Sequence, residues 1–383
     1  MARGYLTRML ADQFEGCYGV SPDVIASAPG RIEVLGNHTD YNGGLTLSCA
    51  VALRCYAALR RDEGREFRLA STAYNSQVHA FREVDVVADQ GHWSNYVLGL
   101  LSALRDLGSE VPGFSLLVDS AVPPSARLSS SAACEMAALV AIVSQIDAEF
   151  TPLELAGIGQ HAESAVVGAQ TGLLDQLSSL LGRRDQLLKI DFQDFHTRTI
   201  PMPHGYCFVC IDSGVQHDLT SEYNDRREAS VSATNVMGIA TLREATSKLL
   251  ESSRERMLPL AYACAKHVLD ENARVAEACE ALEAGDIHCF GQLMYDSHES
   301  SRTLLRNSCS ELDELVERAQ RDPRCLGARL SGGGFGGITI HLVQQEVAED
   351  YRADMVKQLD TTGSRGRWSA ICQLDDGATL HSE

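Results

Sequence analysis

Apolar residues recur at helical spacing from Leu6 to Phe14, which predicts a helix near the N-terminus. The pattern then breaks. Ser27 to Gly44 is dense in Gly, Pro, Asn and Asp, and no regular element is expected to hold it. Apolar and β-prone runs over Thr46–Leu59, Glu66–Ser71 and Gln77–Phe81 predict three strands of an antiparallel meander, followed by a helix over Asn95–Leu107 and a strand over Phe114–Asp119. Ser129–Ile146 is Ala-rich with serines at its start, the mark of a buried helix whose N-terminus faces the preceding loop. A helix over Pro152–Val167 leads into short strands at Leu187–Asp191, Arg198–Met202 and Tyr206–Asp212. Beyond Tyr223 the texture becomes long, charged and helical as far as Leu312. It ends in a glycine-rich turn at Ser331–Gly337, a strand at Ile338–Val343 and a helix at Glu346–Leu359.

Strands mixed with helices in both halves imply an α+β fold rather than alternating βαβ units. With 383 residues, and domains of about 150 residues as the common size, two lobes are expected. The boundary falls between residues 205 and 206, giving an N-terminal lobe over 1–205 and a C-terminal lobe over 206–383.

Charge narrows the partners. Lys and Arg number 33 against 52 Asp and Glu, a net charge of −19, which repels nucleic acid and anionic membrane alike. An anionic substrate would need a local positive pocket of helix ends, backbone N–H groups, Mg²⁺ and a few Arg or Lys. No run of about 20 apolar residues exists to span a membrane. The twelve Cys form no disulfide framework, which fits reduced thiols in a cytoplasm. Cys207 and Cys210 are expected on opposite faces of one strand rather than on a metal.

Four segments carry candidate chemistry. Ser27–Gly44 packs Arg31, Glu33, Asn37, His38 and Asp40 between turn-forming glycines, a density of polar groups able to grip hydroxyls. Val122–Ala133 brings three successive serines, Ser129, Ser130 and Ser131, to a helix N-terminus, whose N–H groups and dipole suit a phosphate. It has no Lys and is not a Walker loop; a plain serine cap is the alternative. Glu163–Gln176 contains an acidic residue on a helix and then Asp175 in an apolar stretch, either a capping Asp or a part-buried functional carboxylate. Gly327–Ile338 holds five glycines in six residues, suited either to close approach of main chain to phosphate or to a tight turn between lobes.

Taken in order, these segments resemble the galactokinase branch of the GHMP kinase superfamily. The resemblance runs from APGR and GxHTDYNGG through WxNYV, LSSSAA, GLLDQ, SEYNDRR and SHESSR to GARLSGGGFGG, nearly the whole chain. It implies a two-lobed GHMP kinase fold with the active site in the cleft, and an ATP-dependent, Mg²⁺-requiring kinase acting on the anomeric hydroxyl of a hexose or a derivative. Asp175 and Arg31 fall on the family's catalytic positions, Ser131 and Glu163 on its Mg²⁺ positions. His38, Asp40, Gly172 and Tyr223 fall on sugar-contacting positions. ATP is expected along Ser125, Arg127, Ser129, Ser130 and Ser131, with Trp93 nearby.

Two departures qualify the resemblance. Galactokinases usually read GRxNxIGEH, whereas here Glu33 and Asn37 stand exchanged. Asn37 is neutral and can donate as well as accept, so Glu33 and Asn37 are expected to set the sugar, and a uronic acid, another pyranose or a cyclitol competes with galactose. The nucleotide loop usually reads PxGxGLSSS, whereas here Ser125 and Arg127 replace the glycines. Arg127 is expected either to reach the phosphates or to fill the nucleotide site, which would leave a non-catalytic sugar sensor.

Overall fold

A computed structural model describes residues 2–82, 92–124, 127–167, 172–215, 220–360 and 368–381. Helix α1 (Ala2–Tyr18) precedes strand β1 (Val24–Leu35), and β2 (Leu45–Arg61), β3 (Phe67–Ser71) and β4 (His79–Phe81) follow. Next come α2 (Ser94–Asp106), β5 (Phe114–Ser120), α3 (Ser130–Val143), α4 (Pro152–Val167) and α5 (Leu174–Leu181). Strands β6 (Gln186–Asp191), β7 (His196–Pro201) and β8 (Tyr206–Asp212) lead to the helical half: α6 (Thr220–Met237), α7 (Ser247–Ser253), α8 (Pro259–Ala284), α9 (Ile287–Ser300) and α10 (Ser310–Arg321). Strands β9 (Cys325–Ser331) and β10 (Ile338–Gln344), helix α11 (Ala348–Asp360), and strands β11 (Ser369–Cys372) and β12 (Thr379–His381) finish the chain.

Two sheets organise these elements. The first has eight strands along the path β12-β1-β2-β5-β3-β4, with β6 and β7 branching from β2; the second runs β11-β8-β10-β9. The second sheet thus starts at Tyr206, while β12 returns to pair with β1 in the first. Cys210 packs with the core under the first sheet and Cys207 with the smaller core against α10 and α11, opposite faces of β8 as their spacing requires. All twelve cysteines are free thiols. No helix among the described residues is long and apolar enough to cross a membrane.

Two expectations from the pattern are corrected. The strands after the glycine-rich stretch are not a meander: β5 lies between β2 and β3, antiparallel to the first and parallel to the second. Its Phe-Ser-Leu-Leu-Val run is buried throughout, and a fully buried strand takes the interior of a sheet ahead of the short, part-exposed β4. The stretch Ser27–Gly44 is also half strand. β1 continues to Leu35 in spite of Pro29 and Gly30 because the ladder to β2 is interrupted there by a bulge, which accommodates a residue without an N–H. Only residues 36–44 form the loop. At Gly30 a Cβ would stand 2.6 Å from the carbonyl oxygen of Leu128, so the strand crosses directly beneath the loop that precedes α3.

Candidate active site

Arg31 comes from β1, Asp175 from the first turn of α5, and Ser129 caps α3. The bulge turns Arg31 toward the loop, and its backbone N–H donates to Leu128 O at 3.0 Å. Arg31 Nε and Nη2 donate to Asp175 Oδ1 at 2.8 and 2.7 Å, and Nη1 donates to the carbonyl of Arg127 at 3.2 Å. The Ser129 hydroxyl donates to Asp175 Oδ2. Both carboxylate oxygens are therefore held, one by a guanidinium and one by a hydroxyl at the start of a helix, which fixes the plane of the carboxyl group.

Next to this pair lies the loop after β1. His38 adopts a left-handed backbone (φ 59°), and its ring nitrogens meet Tyr41 Oη at 2.7 Å and Gly333 O at 3.2 Å. Burial pushes its pKa down to about 3, only partly offset by the bond to Gly333, so the ring is neutral. Tyr223, from α6, packs its ring 4.8 Å from that of His38. The Asp40 carboxyl is pushed up to about 7 by burial, with a backbone bond at Tyr41 opposing and the charges of Glu33 and Asp175 adding to the rise. A side chain at Gly172 would overlap the Asp40 carboxylate, which explains a glycine at that position. His38, Asp40, Gly172 and Tyr223 are thus brought together, with Gly333 of the glycine-rich turn completing the wall.

The exchanged pair behaves differently from expectation. Asn37 is 0% exposed, and its amide is occupied by protein on every side. Its Nδ2 donates to Glu33 Oε1 and to Gly332 O, both at 2.8 Å, while Oδ1 accepts from Asn307 Nδ2 at 2.8 Å. Contact with a sugar through this side chain would break that network. Glu33 in turn receives the wholly buried Arg329, whose Nη1 lies 3.2 Å from Oε1. Burial raises the Glu33 pKa, and Arg329, Arg31 and Asn37 oppose the rise.

On the other side of Asp175, Ser131 Oγ donates to Glu163 Oε1 at 2.7 Å, and Gln176 Nε2 donates to Glu163 Oε2 at 3.0 Å. Ser130 and Ser131 stay part-exposed in the first turn of α3, where N–H groups have no helical partner. Burial and then the Asp175 charge raise the Glu163 pKa, so a cation there would offset both effects. Hydroxyl and carboxylate are hard oxygen donors, the set that suits Mg²⁺. No group of three or more His, Cys, Asp or Glu that could hold a metal ion is found among the described residues. Trp93 caps α2 and stacks on Tyr74 at 6.4 Å; its indole N–H has no hydrogen-bond partner among the described residues. One turn on, burial and the charges of Glu163 and Glu135 push Tyr96 up to about 12, and α2 packs on α4, the helix that carries Glu163.

Arg127 occupies a left-handed backbone conformation (φ 50°). Its side chain leans on the turn that precedes β10: a Cβ at Gly337 would lie 2.5 Å from Arg127 Cδ. Burial lowers its pKa, and the Asp212 charge opposes that. Ser125, the other departure in this loop, lies outside the described residues.

Sequence reasoning missed Glu135 and Gln176, which complete the Glu163 cluster, and Asn307 and Arg329, which hold the exchanged pair. It also missed His267, Glu271 and Asn272. They sit in a charged helical stretch where polar residues read as solvated, although all three are buried.

Comparison with known proteins gives a consistent picture. Residues 12–61 match the galactokinase galactose-binding signature, residues 95–183 the N-terminal domain of GHMP kinases and residues 278–359 their C-terminal region. The chain is 36% identical to a galactokinase of Roseiflexus over 97% of this chain and 96% of that one. It is 35% identical to a galactokinase of Actinobacillus pleuropneumoniae over 97% and 99%. Its structure matches that of Lactococcus lactis galactokinase complexed with galactose at a TM-score of 0.92, with 28% identity over 98% of this chain and 99% of that one. A mevalonate kinase shares the fold at a TM-score of 0.64 and 18% identity.

Proposed function

This chain belongs to the galactokinase family of GHMP kinases and is a galactokinase-like sugar 1-kinase, and on that premise we propose that Asp175 and Arg31 serve transfer of the γ-phosphoryl group of ATP to the anomeric hydroxyl of an uncharged hexose. The observation that carries the reading is the Asp175 carboxylate, held by Arg31 at 2.7 Å and by Ser129 at the start of α3, between the loop of His38 and Asp40 and the Ser131–Glu163 pair.

Phosphoryl transfer depends on in-line placement and on neutralising charge spread over the phosphate oxygens. Asp175 orients the hydroxyl and accepts its proton; Arg31 offsets the charge that develops between donor and acceptor. The free N–H groups at Ser130 and Ser131 receive phosphate, and Trp93 flanks the nucleotide. Ser131 and Glu163 would hold Mg²⁺, which when bound would neutralise phosphate charge. Twelve free thiols suit a reducing compartment such as the cytoplasm.

The choice of an uncharged sugar rests on electrostatics. The Asp40 carboxyl already feels the like charges of Glu33 and Asp175, with the Arg227 charge opposing them, while Arg31 is engaged by Asp175 and Arg329 by Glu33. A uronate would add a fourth carboxylate, whereas a hydroxyl can donate to those present. ADP release measured across galactose, other hexoses, galacturonate and inositols tests the reading. Turnover fastest with the uronate would overturn it.

A further inference from the structure

The loop over residues 36–44 is held at both ends by one helix. On α8, His267, Glu271 and Asn272 project from one face at the spacing of a helical turn, and each binds loop main chain rather than a loop side chain. His267 Nε2 meets Asn37 O at 3.0 Å. A carbonyl can only accept, so that nitrogen carries the proton and Nδ1 accepts from the Ser300 hydroxyl at 2.8 Å. Glu271 Oε1 accepts from the N–H of Gly36 at 2.9 Å and from that of Asn37 at 3.4 Å. The same oxygen accepts from Ser297 Oγ at 2.6 Å, and Oε2 accepts from Arg274 Nε at 2.7 Å. At the far end, Asn272 Oδ1 accepts from the N–H of Leu45 at 2.7 Å.

The fit is close. A Cβ at Gly44 would lie 2.5 Å from Asn272 Oδ1, and Gly36 uses a positive φ of 96° to bring its N–H to Glu271. Because α8 takes only the backbone, the His38 ring keeps its bonds to Tyr41 and Gly333, and Asp40 stays part-exposed beside Gly172. The helix also packs on α6, which carries Tyr223. We infer that His267, Glu271 and Asn272 are positioning residues for sugar recognition: they fix the loop that presents His38 and Asp40, without touching the substrate. This rests on the reading that the loop holds the sugar.

The test combines amide hydrogen exchange with calorimetric titration of galactose and, separately, of Mg-ATP. His267→Leu removes the donor to Asn37, His267→Gln restores one at the same reach, and Asn272→Ala frees the other end of the loop. Losing one buried bond to the backbone is expected to speed exchange in residues 36–45 and weaken galactose affinity by about tenfold or more. Mg-ATP affinity should stay within about twofold, because the bonds removed run to Asn37, Leu45 and Ser300 rather than to the serines that open α3. His267→Gln should recover most of the loss. Unchanged loop exchange in both His267→Leu and Asn272→Ala overturns the inference. So does a faster-exchanging loop with unaltered galactose affinity, or an equal loss for sugar and nucleotide. Wild-type protein, which binds galactose if the reading above holds, is the control that separates failure of that reading from failure of this one.

Discussion

Asn37 donates to Glu33 four residues earlier at 2.8 Å, inside a network that reaches Gly332 after β9 and Asn307 before α10. The amide and the acid are mutually dependent. A carboxylate at position 37 would face the Glu33 oxygen and the Gly332 carbonyl with no proton to share. Asn37→Glu alone is therefore expected to destabilise the fold by about 3 kcal/mol. The double exchange Glu33→Asn with Asn37→Glu restores one acid and one amide, and should recover at least ~1 kcal/mol beyond additivity. Urea unfolding of the two single variants and the double variant measures this coupling, and strictly additive costs would contradict it.

Asp175→Asn retains the shape of the side chain but removes the proton acceptor. Turnover should fall by at least ~100-fold while galactose affinity changes little. Steady-state kinetics beside calorimetry checks the split; wild-type turnover would take Asp175 out of the chemistry.

The pKa of Asp40, raised to about 7, gives a direction to pH effects. The folded state binds a proton there more tightly than the unfolded chain does. Stability from this group is therefore full below the ordinary carboxyl range and lost as pH rises through about 7. A sugar hydroxyl donating to Asp40 favours the ionised form, so binding near pH 6.5 should release protons, and less so at pH 8.5. The groups facing it are Glu33, Asp175, Tyr41 and Arg227. Galactose titrations in buffers of differing ionisation enthalpy give the proton count; Asp40→Asn should bring it close to zero.

Arg127 separates backbone from side-chain effects. Both Arg127→Gly and Arg127→Ala lose the guanidinium, but only glycine relaxes at a φ of 50°. The glycine variant should be the more stable of the two by about 1 kcal/mol. Equal unfolding midpoints would mean that the left-handed conformation carries no strain.

Much of the fold was legible because period and composition act locally. The 152–167 helix and the 206–212 strand appear as the pattern requires. The order of strands was not legible, since the parallel pairing of β3 with β5 is settled by burial across 42 intervening residues. In the site, Arg31, Asp175 and Ser131 stand in recognisable motifs; Arg31 meets Asp175, and Ser131 meets Glu163. The burial of Asn37 was hidden because its partners, Gly332 and Asn307, lie some 270 to 295 positions away. The α8 face was hidden for the converse reason: it binds main chain, which leaves no complementary side chain to find.

Strand β12 covers the outer edge of β1, and Ser27 meets His381 across 354 positions of sequence at 2.8 Å. On a ribosome adding about 5–20 residues per second, the edge of β1 waits roughly 20–70 s for that partner. During this interval the strand that carries Arg31 presents unpaired N–H and C=O groups, the kind of edge to which other chains add. The start of β1 is therefore paired late, and the yield of folded protein depends on what shields a nascent edge as well as on the stability of the finished fold.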